Sequence, residues 1–102
     1  MNITDLVSPW GAIDHVEHVA PGIVFVSTAS HGGYYLTADH NVKVPLTWRG
    51  ASFNRQGIKG WYEEDCDWAL VALTFPDLFP PAALLAAKQV FKSFFEAKLI
   101  AA

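Results

Sequence analysis

The stretch Trp68–Phe75 (WALVALTF) has one polar side chain, Thr74, in eight residues. A surface helix keeps a wet stripe; this segment has none, so it must be covered on most sides. Glu63, Glu64, Asp65 and Asp67 crowd its upstream end, and Pro76 follows it. Carboxylates are favoured at the positive end of a helix dipole, and proline cannot continue a helix. The sequence therefore predicts a largely buried helix over residues 62–75, and the rest of the chain must supply its cover.

Part of that cover is a second helix predicted over residues 80–100. Pro80 and Pro81 stand at its start, where a missing N–H costs nothing. Leu84, Ala87, Phe91, Phe94 and Lys98 share one face, widened by Leu85, Phe95 and Leu99. Lys88, Gln89, Lys92, Ser93 and Glu96 form the wet stripe, with Lys92 and Glu96 spaced as an i,i+4 pair. A chain this small has little with which to cover Phe91, Phe94, Phe95 and Leu99, so a homodimer through this helix is one expectation.

The remaining cover is a sheet. Ile13–Val19 is a strand candidate, and Ala20-Pro21-Gly22 suits a type II turn. Ile23–Thr28 (IVFVST) is β-branched and aromatic, apolar on both faces at first, and so central. Ser30-His31-Gly32-Gly33 turns the chain into a returning strand, Tyr34–Thr37. Residues 1–11 read as an irregular arm whose Trp10 tucks against the body. In residues 38–60, Thr37 could cap a short turn, Ala38–Val42, stopped before Pro45; Gly50, Gly57 and Gly60 then mark loops. The whole is α+β: one domain over residues 1–102, with a small antiparallel three-stranded sheet (about 12–37) packed on one face by two C-terminal helices, 62–75 and 80–100.

Composition narrows the function classes. With 52% hydrophobic and 17% charged residues the chain is not a disordered tail. A net charge of −3 gives no general pull toward nucleic acid or an anionic membrane. The single cysteine, Cys66, excludes an internal disulfide and a multi-thiolate zinc site. Residues 1–20 hold acids and no Lys or Arg, unlike a secretory or transit peptide, and no apolar run nears the roughly 20 residues of a membrane span. The expectation is a cytoplasmic protein without a cofactor.

Three groupings could carry chemistry. His15 and His18 are three apart, which on a strand puts them on opposite faces and argues against a shared metal. His31 sits beside paired glycines, where a ligand could approach the backbone closely or where the residues simply form a turn. Trp61-Tyr62-Glu63-Glu64-Asp65-Cys66-Asp67-Trp68 places four acids within five residues between tryptophans. It is either an acid-rich helix start or an acidic, aromatic-edged contact surface. Lys43, Arg49, Arg55 and Lys59 could neutralise it from within.

The segments VSTASHGG (26–33) and GWYEEDCDWALVAL (60–73) together resemble an uncharacterised family of small domains found in proteobacterial chromosomes, plasmids and phages. The resemblance covers roughly residues 8–96 and brings no established activity, so no catalytic residue is carried over. Occurrence on mobile elements implies action on a host system, for example as an anti-CRISPR-like inhibitor of a host defence complex.

Three functions compete at this point. One is a non-enzymatic protein-binding module. Its acids Glu63, Glu64, Asp65 and Asp67, with Trp61, Tyr62, Tyr34 and His31, would meet a partner with a basic surface, such as a nucleic-acid-handling complex. The second is a small hydrolase or transferase using Cys66 as nucleophile, His31 as base and Asp65 or Glu64 as orienter. Against it, the surrounding carboxylates would raise the thiol pKa. The third, a nucleic-acid binder using Lys43, Arg49, Arg55, Lys59 and Trp48, is thin in charge.

Overall fold

The central strand is apolar on both faces because both faces are covered. The computed structural model describes residues 6–101 and has four strands: β1 (Ile13–Ala20), β2 (Ile23–Thr28), β3 (Gly32–Leu36) and β4 (Trp61–Glu63). They pair antiparallel in the order β1-β2-β3-β4. Gly22, with φ of +81°, closes the β1–β2 turn as the Pro-Gly sequence requires.

Five short helices complete the α+β fold: α1 (Ala38–Asn41), α2 (Leu46–Ala51), α3 (Trp68–Thr74), α4 (Pro81–Phe94) and α5 (Glu96–Ala101). Two 3-10 segments, Phe53–Lys59 and Pro76–Leu78, link them. On one face of the sheet Ile23, Leu36 and Tyr62 pack against Leu70 and Val71 of α3 and against Phe95. On the other face Val24, Val26 and Trp61 are covered by Leu6, Trp10, Ile13 and Val16. Trp10 meets Trp61 edge-on at 5.6 Å, so the arm tucks in as its turn implied. Residues 1–5 of that arm lie outside the described residues. Ala69, Ala72 and Ala87 are fully buried where α3 and α4 meet, small side chains that let two helices approach closely.

Four expectations need correction. The sheet has a fourth strand: Gly60, at φ +95°, turns the chain so that Tyr35 pairs Trp61, Tyr34 pairs Tyr62 and Gly33 pairs Glu63. The expected helix over 62–75 therefore begins only at Trp68, after a turn. The expected helix over 80–100 is two helices, α4 and α5, meeting at Phe95, whose φ is −113° and whose ring is 1% exposed. Lys92 and Glu96 lie either side of that break, and no ion pair joins them among the described residues. Residues 38–60, expected to be mostly loop, hold α1, α2 and a 3-10 segment. Among the described residues no helix is long and apolar enough to cross a membrane.

Candidate functional site

The four acids between β4 and α3 have four different environments. Glu63, at the end of β4, turns its carboxylate back over the following turn. It accepts the N–H of Asp65 at 2.7 Å, of Cys66 at 2.5 Å and of Asp67 at 2.8 Å. Those amides lie in the turn that leads into α3, so Glu63 satisfies the turn's backbone donors and fixes the approach to the helix. Asp67 is 2% exposed and accepts the N–H of Phe53 at 2.8 Å, tying the 3-10 segment to the start of α3. Burial pushes its pKa up to about 6; the Phe53 N–H opposes the rise and the charge of Glu63 adds to it. Glu64 lies over Gly32, where a Cβ would come within 2.8 Å of its Oε2. Asp65 is exposed, and its side chain forms no hydrogen bond or ion pair among the described residues.

The neutralising cations are not where the sequence offered them. Among the described residues the one ion pair is His40 with Asp39 at 3.5 Å. Arg49 spends its Nε on the Val44 carbonyl at 3.0 Å, and Lys98 lies over the Phe95 ring at 5.8 Å. The like charges of Glu63 and Asp67 are accommodated by backbone N–H groups and by the raised pKa of Asp67.

Two of the expected anchors belong to the core. Tyr62 is 0% exposed and donates its hydroxyl to Asn41 Oδ1, with the Gly57 carbonyl 3.2 Å away; Trp61 is 7% exposed under Trp10. Their alternation along β4 sends one ring to each face of the sheet. Tyr34 is half-buried between Phe25 at 5.0 Å and Phe79 at 5.7 Å. Tyr62 and Trp61, like Asp67, cannot touch a partner without unfolding.

What remains forms a hollow of about 290 Å³ lined by Trp10, His31, Phe53, Glu63 and Asp65. His31 is exposed at the β2–β3 turn, held where Thr28 accepts its N–H at 3.1 Å and donates back to its carbonyl at 2.7 Å. Phe53 is 48% exposed. His31 and Asp65 were expected at a site; Trp10 and Phe53 were not. Nothing in residues 52–54 signals that Phe53 will be placed against an acid ten residues on.

Cys66 does not line this hollow. It packs against the sheet–helix core, and its thiol pKa is raised by burial and then by the carboxylates of Glu63, Asp67 and Asp65, so the reactive thiolate is disfavoured. His15 and His18 are both exposed on β1, in an unbroken register that keeps them on opposite faces. Among the described residues no group of three or more His, Cys, Asp or Glu could hold a metal ion. Two other hollows, of about 390 and 380 Å³, lie away from the acids. The larger, between α2 and α5, has Lys98 as its one charged lining residue among the described residues.

The model of a family described as Domain of unknown function (DUF7007) matches residues 4–99. No curated protein matches the chain, and no solved structure does.

Proposed function

The chain belongs to this family of domains of unknown function, and we propose that it is a non-enzymatic protein-binding module whose hollow takes a basic side chain of its partner. The observation that carries this reading is the hollow itself: Glu63 and Asp65 line it together with Trp10, His31 and Phe53, and no cation of the described chain pairs with either acid. Arginine is the side chain that fits this chemistry best. Its planar guanidinium stacks on aromatic faces and pairs with carboxylates in one binding mode. Glu64, on the same turn, widens the acidic rim.

The acidic, aromatic hollow complements a basic protein surface of the kind a nucleic-acid-handling complex presents. A host defence complex is one such partner, and blocking its basic surface is how an anti-CRISPR-like inhibitor would act. The Cys66 thiol, kept protonated among carboxylates, lends no support to hydrolase or transferase chemistry.

The test is a titration with a short arginine-containing peptide, followed by the Trp10 indole and His31 resonances. Saturable shifts at both are expected, weakening steeply as salt rises. Asp65→Asn combined with Glu64→Gln should cost about tenfold in affinity or more. Glu63 is left intact because α3 depends on it. Shifts that ignore both salt and the double variant would remove the hollow as a docking site.

A further inference from the structure

The second of the other hollows, about 380 Å³, lies between the β1–β2 turn, α1 and the segment that follows α3. Ile23, Phe75 and Leu78 give it apolar walls; Lys43, Asp77 and His40 give it polar groups. Its size falls at the lower end of small-molecule sites, which run roughly from 300 to 1,000 Å³.

The walls are tied together. Thr37 donates its N–H to the Gly22 carbonyl at 2.9 Å, joining the start of α1 to the turn. The His40 ring sits over Gly22, where a Cβ would come within 2.5 Å of Nδ1. Thr37 Oγ1 has one proton and gives it to Asp39 Oδ1 at 2.7 Å, so toward His40 Nδ1, 3.2 Å away, it is the acceptor.

Lys43 and Asp77 have opposite charges at one hollow, yet they form no ion pair with each other or with any described residue. A plain anion would satisfy Lys43 and face Asp77, and a plain cation would do the reverse. A zwitterion satisfies both, and its apolar side chain would fill the space against Ile23, Phe75 and Leu78. We propose that this hollow binds a free α-amino acid with a large apolar side chain. Lys43 takes the carboxylate and Asp77 takes the ammonium group. The site is separate from the acidic hollow and stands or falls independently of the partner proposed above.

The test uses three probes on the full chain: L-phenylalanine, phenethylamine, which lacks the carboxylate, and 3-phenylpropionate, which lacks the ammonium. Backbone resonances of Ile23 and Phe75 should shift saturably with phenylalanine, and each half-ligand should bind about tenfold more weakly or worse. Asp77→Asn should weaken phenylalanine and phenethylamine and leave 3-phenylpropionate unchanged; Lys43→Met should do the converse. Both residues are exposed, so the variants should keep the parent unfolding midpoint. No saturable shift, or equal binding of all three probes, overturns the proposal.

Discussion

Asp67 has an acidic side chain where the chain can least solvate it. Its carboxyl is 2% exposed, and burial raises its pKa to about 6, against about 4 in an unfolded chain. The folded state thus binds that proton more tightly than the unfolded state. The stabilisation is full below about pH 4 and is lost as pH rises through about 6. Asp67→Asn keeps an acceptor for the Phe53 N–H without the charge. Urea unfolding of both proteins at pH 4.5 and pH 7.5 should show the wild type losing on the order of 2 kcal/mol relative to the variant at the higher pH. Two curves that move in parallel would refute this. Gly33 is decided by space alone: a Cβ there would meet Trp10 at 2.3 Å and the Tyr62 carbonyl oxygen at 2.4 Å. The carbonyl belongs to a paired strand and cannot swing away, so Gly33→Ala should lower stability by about 1–3 kcal/mol in thermal or denaturant unfolding. In the sequence the acids of residues 63–67 were equivalent. A carboxylate that caps a turn, one buried against a backbone amide and one left to solvent have the same letters, and only the path of the chain tells them apart.

At the scale of the element, Glu63 is where a strand becomes a helix. Its carboxylate holds three N–H groups of the turn that leads into α3, including that of Asp67, the residue in the cap position, which makes no side-chain cap of its own. Glu63→Ala should cost about 1–2 kcal/mol, and Glu63→Gln, which retains one oxygen acceptor, should recover part of it. A variant as stable as the parent would mean that the turn bonds water equally well. The elements with strong local signals were legible: IVFVST for its β-branched and aromatic residues, the Pro-Gly turn, and the apolar run that became α3. β4 was not, because three residues are too few for a period of two to show, and the acids beside it favoured a helix start. The break at Phe95 was equally hidden. Both sides of it continue a helical pattern, and the deviation sits where Phe95 reaches the core beside Leu70 and Val71.

Across the whole molecule, β2 separates two polar hollows. Ile23 at its start lines the hollow with Lys43 and Asp77. Thr28 at its end holds His31, which lines the hollow with Glu63 and Asp65. Five strand steps between Ile23 and Thr28 span roughly 17 Å, beyond the roughly 7–10 Å within which substitutions usually couple. The strand between them is packed on both faces, with Val24 and Val26 on one side and Ile23 on the other, so it offers no loose segment to carry a change from end to end. The sites should therefore act independently. Saturating phenylalanine should leave the affinity for the arginine peptide unchanged, and Asp65→Asn with Asp77→Asn should show the sum of the single effects to within about 0.5 kcal/mol. A larger coupling would require the sheet to have two arrangements that both ligands bias, and the protein would then be a sensor in which an amino acid governs partner binding.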